Sequence, residues 1–229
     1  MRKIIVLFFC LLGCGIPVVQ YLQSPIVNQI SAPLDLSAKF TNSTSNDPLY
    51  FKGFKLYYCL FTTEDQLETS VTQIEATTYN AVSYLTSKGY GTLFKYPDAS
   101  PLFTLDTSYK QKPVDFTVDF NYDAVNDNDD FESYITIEYG NTLLYKGTLC
   151  RYIEQDRIDE DATHLKHRSF KPDNFTVDDI DIPKEFTGDT YIYMALFVAA
   201  CGWDDNMVQI HSDPKYLGQF VFNTDSFDS

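Results

Sequence analysis

The sequence has little positive charge, few histidines, one tryptophan and no long apolar run, and each shortage excludes a class of protein. Lys and Arg number 17 against 32 Asp and Glu, for a formal charge of −15 and a pI near 4.4. Attraction to phosphate backbones needs the opposite sign, so the sequence argues against a nucleic-acid partner. No stretch approaches the roughly 20 apolar residues of a membrane-crossing helix. The longest are Ile4 to Leu12 and the uncharged Tyr191 to Ala200. The 10 glycines form no P-loop, no dinucleotide fingerprint and no Gly-x-Ser-x-Gly turn. No Cys has a His at catalytic spacing, and Cys59, Cys150 and Cys201 lie in no Cys-x-x-Cys pair, which disfavours a zinc centre and a Cys-based nucleophile. A glycosidase pair can be drawn among the 32 acids, but their abundance singles none out. No cofactor is implied.

Aromatic residues are plentiful, with 17 Tyr and 18 Phe, and lean the composition toward β structure. At the amino terminus Arg2 and Lys3 precede the apolar run Ile4 to Leu12, which has the length of a signal-peptide core. The run closes on Leu11-Leu12-Gly13-Cys14, which resembles the bacterial lipobox. That resemblance implies cleavage before Cys14, acylation of its thiol and a membrane partner reached through an N-terminal lipid anchor. The alternative is an ordinary secretory signal whose Cys is incidental. Under the lipobox reading 1–13 are signal peptide, 14–24 the lipidated Cys and a short tether, and 25–229 one domain on the bacterial envelope. Two lipid signals suffice for stable attachment. Cys59, Cys150 and Cys201 cannot all pair, and three mostly buried free thiols are favoured over one disulfide.

Ile26 to Ile30 and Leu34 to Phe40 read as strands around Pro33. Phe51 to Phe61 follows, with Phe54, Leu56, Tyr58 and Leu60 on one face and Tyr57, Cys59 and Phe61 making the other apolar too, so both faces are expected to be covered. The period then changes, predicting one helix over about 75–87 that ends at Gly89. Short edge strands at Gly91 to Tyr96 and Pro101 to Leu105 precede the alternating Val114 to Phe120. Tyr134 to Tyr139 turns through Gly140-Asn141 into Leu143 to Tyr152. Residues 153–189 are rich in acids and are expected to form a long, mobile acidic loop with few core residues. Tyr191 to Ala200 reads as a doubly buried strand, and Met207 to His211 and Tyr216 to Phe222 supply the last strands. The expected fold is mainly β, an antiparallel two-sheet sandwich with one inserted helix.

Gly53-Phe54-Lys55-Leu56-Tyr57-Tyr58, the Tyr-rich run Tyr191 to Gly202 and Ser212-Asp213-Pro214 stand in an order that resembles fibronectin type III and immunoglobulin-like domains. The inserted helix and the acidic loop depart from that pattern. With the lipobox and the closing Ser212 to Gly218, the order is similar to that of a group of uncharacterised spirochaete lipoproteins. The resemblance implies an anchored β-sandwich and brings no catalytic residue with it.

Three places have chemistry to consider. His164 and His167 stand beside Asp159, Glu160 and Asp161, a grouping available to a transition metal only in an ordered loop, and a solvated loop is the favoured reading. Asp123, Asp127, Asp129 and Asp130 crowd oxygens as calcium requires, but the sixth-position glycine of an EF-hand is missing, leaving weak calcium binding or a plain turn. Trp203, Asp204 and Asp205 follow the most buried strand, where sandwich domains carry binding loops; they would contact a sugar or peptide, or the Trp closes the core. The expected function is a noncatalytic, lipid-anchored interaction or structural module with an unidentified protein or glycan partner. The alternatives are an envelope hydrolase acting on glycan or peptide, and a calcium-dependent adhesin.

Overall fold

A computed structural model describes residues 20–32, 35–77, 81–95, 100–120, 133–152, 167–170, 175, 179–186 and 191–223. Cys14 and the acidic turn Asp123, Asp127, Asp129 and Asp130 lie outside them, as does His164. Two antiparallel sheets face each other. The first runs β1 (Ile26–Gln29), β2 (Ser37–Thr41), β7 (Asp115–Asp119), β8 (Tyr134–Tyr139), β9 (Thr142–Tyr152) and β10 (His167–Ser169), with β5 (Phe94–Lys95) on the far side of β9. The second centres on β3 (Phe51–Phe61) and β11 (Tyr191–Trp203), paired along most of their lengths. β12 (Gln209–His211) and β13 (Lys215–Asn223) flank β11, while β4 (Gly91–Thr92) and β6 (Phe103–Thr104) flank β3.

Period-two patterning explains both central strands. Phe54, Leu56, Tyr58 and Leu60 of β3, with Met194, Leu196, Val198 and Ala200 of β11, are buried against the first sheet. Phe40 and Phe116 of that sheet stack with ring centroids 4.7 Å apart, and Phe54 meets both edge-on. On the outer face Tyr57, Ala195, Phe197 and Ala199 pack under helices. Two helices stand where one was expected: α1 (Glu64–Glu75) and α2 (Ala81–Ser87). The predicted span of 75–87 catches α2 and only the last residue of α1. Thr63 caps α1 by accepting from the Gln66 N–H, and Thr63-x-x-Gln66 is the capping signature that marks its start. Gly89, at φ +87°, ends α2: its N–H bonds Thr86 O and that of Tyr90 bonds Leu85 O, the paired bonds of a Schellman cap.

Each open side of the sandwich is stitched once by backbone. On one side the chain steps from β4 on β3 to β5 on β9, and the buried Leu93 between them donates its N–H to Leu56 O at 3.0 Å. On the other, Ser31 bridges to Gly218 and donates to Leu217 O at 2.9 Å.

Two expectations are corrected. Residues 20–24, assigned to the tether, are tied to the fold: Leu22 is buried, and the Asn46 amide bonds both the N–H and the C=O of Gln23 like a neighbouring strand. The described part of the acidic excursion is also packed. β10 pairs with β9, and Phe170, Ile182 and Phe186 lie in the core, because apolar residues spaced among acids anchor the chain. Residues 153–166, 171–174, 176–178 and 187–190 lie outside the described residues.

Candidate functional site

The structure places Trp203, Asp204 and Asp205 at one end of the sandwich, where β11 turns into β12. Trp203 is 36% exposed, and its N–H bonds Tyr50 O on the chain leading into β3. Asp204 organises the turn: its Oδ1 accepts the N–H groups of Asn206 at 2.9 Å and Val208 at 2.8 Å, and its own N–H donates to Val208 O. Asp205 is held by the Gln20 amide at 2.8 Å and the Tyr50 hydroxyl at 3.0 Å. Asp204 thus serves the loop and Asp205 ties it to Gln20 and Tyr50, while Met207 and Val208 are left strongly exposed.

On the side of the sandwich stitched by β4 and β5 a cleft of about 280 Å³ opens, lined by Phe103, Leu105, Tyr109, Ile137, Leu144 and Tyr145. It exists because β6 belongs to β3 while β5 belongs to β9, so the sheets part between them. Lys95 and Asp106 are the charged residues in its wall, with Lys95 Nζ 5.6 Å from the Tyr145 ring centre. The contributing residues are scattered over three stretches of chain, so no local motif announced it.

A second group escaped the sequence reading. Arg151, fully buried on β9, donates through Nη1 to Asp181 Oδ1 and through Nη2 to Asp179 Oδ2, each at 2.6 Å. The Tyr58 hydroxyl donates to Asp181 Oδ2 at 2.6 Å, and the Phe175 ring centre lies 4.7 Å from the guanidinium carbon. Burial raises the Asp181 carboxyl above its ordinary range against the pull of Arg151. Burial likewise raises the Tyr58 phenol, reinforced by Asp181. Asp181 and Tyr58 also border a cavity of about 280 Å³ with Gly89, Gly91, Thr92 and Ile180. The available signal was an arginine inside the apolar run Leu149-Cys150-Arg151, which demands buried acid partners.

Among the described residues Cys59, Cys150 and Cys201 form no disulfide. Cys201 Sγ lies 3.0 Å from His211 Nδ1, ten residues away in sequence, because the β11–β12 hairpin sets the two opposite each other. Burial pushes the thiol up to about 12 and, with Lys55, the imidazole down to about 4. Both are neutral near pH 7, so the pair lacks the thiolate of an activated nucleophile. Among the described residues no three His, Cys, Asp or Glu side chains converge as a metal site. No family model, curated protein or solved structure matches the chain.

Proposed function

We propose that the chain is a noncatalytic, lipid-anchored envelope protein whose β-sandwich is a binding module, and that the aromatic cleft receives an apolar or aromatic group of a protein or glycan partner. The observation that carries this reading is the cleft itself: concave, apolar, floored by rigid strands, with Lys95 and Asp106 to orient a polar end. The anchor is supported by the lipobox-like Leu11-Leu12-Gly13-Cys14. A hydrolase reading has one observation to start from, the raised Asp181 carboxyl beside a cavity. Arg151 bonds one of its oxygens and Tyr58 the other, so both oxygens are already engaged within the protein and the group serves as a clamp.

Two variants of the full chain test the proposal. Cys14→Ala is expected to lose the acyl mass and the detergent-phase partitioning of the wild type; unchanged partitioning would end the anchored reading. Leu144→Glu, which places a charge in the cleft wall, is expected to keep its melting temperature within a few degrees and to lose envelope components that the wild type retains on a column. Equal retention by both would remove the cleft as the binding place.

A further inference from the structure

The end of the sandwich that bears the β11–β12 turn exposes several large apolar side chains. Met207 is 75% exposed, Leu49 72%, Val208 57% and Trp203 36%, and no described contact covers them. Met207 is also the only non-glycine residue at positive φ (61°) among those described, in a turn tied by Asp204. A left-handed position normally goes to Gly or Asn; here it holds a methionine side chain away from the fold. Asp204 ties the backbone of the turn, so burying these side chains elsewhere would cost little backbone ordering.

What covers them follows from the short sequence distance between this turn's partner Gln20 and Cys14. Gln20, bonded to Asp205 of this turn, is six residues after Cys14. Even fully extended, six residues span at most ~22 Å. A chain acylated at Cys14 therefore cannot hold this end far from the lipid headgroups. We infer that the β11–β12 turn, with Trp203, Met207 and Val208, and the neighbouring Leu49 form a membrane-contacting tip that seats the sandwich upright on the bilayer surface; this rests on the anchored reading above.

The chemistry of the same end agrees. Trp and Tyr concentrate at membrane interfaces because their rings are apolar at one edge and polar at the other. Tyr50 stands beside Trp203 here, and Tyr109 and Tyr139 stand together at the β8–β9 turn with Lys112 Nζ 4.8 and 5.0 Å from their ring centres. The carboxylates of Asp204 and Asp205 are engaged by the loop backbone, by Gln20 and by Tyr50. With a chain charge of −15 the surface suited to this tip is zwitterionic.

Trp203 is the only tryptophan, so its fluorescence reports the tip alone. The test uses the full acylated chain reconstituted into phosphatidylcholine vesicles whose acyl chains are brominated close to the headgroup, with acylation checked by the mass of the N-terminal peptide. The expected result is blue-shifted Trp203 emission, most of it quenched by the brominated lipid. In the Met207→Asp, Val208→Asp double variant, still vesicle-bound through its lipid, quenching is expected to be lost. An acylated, vesicle-bound chain with unquenched Trp203 overturns the tip while leaving the anchor standing, as does quenching that the double variant retains. Concentration-dependent pairing of two copies through the tip, with Trp203 shielded from the lipid, also overturns it. An unacylated Cys14 overturns the anchored reading and this inference together.

Discussion

Cys201 and His211 show how a fold sets the protonation of a residue. Facing each other across two strands with 3.0 Å between Sγ and Nδ1, they keep a neutral thiol and a neutral ring because burial disfavours both charged forms. The consequence for stability has a definite sign. His211 titrates near its ordinary 6.5 in the unfolded chain and at about 4 when folded, so the unfolded state binds the proton first as pH falls. The contribution of His211 is therefore complete above pH 6.5 and is lost progressively down to about 4. Allowing for the partly exposed ring, the loss is about 1–2 kcal/mol. Thermal melts between pH 7 and pH 4 are expected to show this decline in the wild type and a shallower one in His211→Gln. Parallel curves would mean that the ring titrates normally.

The central element is the β3–β11 pair. β11 has neighbours on both edges and apolar contacts on both faces, so its side chains from Met194 to Cys201 are buried. Leu196 is fully buried between the sheets, and Leu196→Asp would place a carboxylate there without a partner. The cost is several kcal/mol against a total stability of ~5–15 kcal/mol. The variant is expected to be unfolded or molten at 25 °C by near-ultraviolet circular dichroism, whereas a native-like spectrum would show that the strand can expose this face. The same strand pair forces glycine at 202, where a Cβ would collide with the Tyr50 carbonyl as the chain crosses into β3.

Across the whole molecule Arg151 joins distant parts of the chain. It draws Asp179 and Asp181 onto the sandwich, and that brings Ile182 and Phe186 into the core. Removing one member of a buried ionic group leaves the others charged and unpaired, which costs ~3–5 kcal/mol, whereas removing all the charge is far milder. Arg151→Met is expected to lower the urea midpoint sharply, and adding Asp179→Asn and Asp181→Asn to restore most of it. A single variant as stable as the wild type would show that residues 179–186 are held by their apolar side chains alone.

Local chemistry was enough to read much of the fold. Apolar residues on both period-two faces of Phe51 to Phe61 and the uncharged run Tyr191 to Ala200 placed β3 and β11 and told that both are covered on both faces, because a pleat sends successive side chains to opposite faces. Gly140-Asn141 announced the β8–β9 hairpin and Gly89 the end of α2, since positive φ suits glycine. The capping signature Thr63-x-x-Gln66 was equally legible and would have located α1. Other features depend on residues far apart in sequence. The step from one sheet to the other at Leu93, the clamp joining Tyr58, Arg151 and Asp181, the Cys201–His211 pair and the bond from Gln20 to Asp205 are all of this kind. The Gln20–Asp205 bond closes a separation of 185 residues, and only packing of the completed sheets brings such partners within hydrogen-bond reach. Sequence periodicity determined which faces are apolar; the tertiary structure decided which polar groups those faces bring together, because a buried polar group is stable only where the fold delivers its partner.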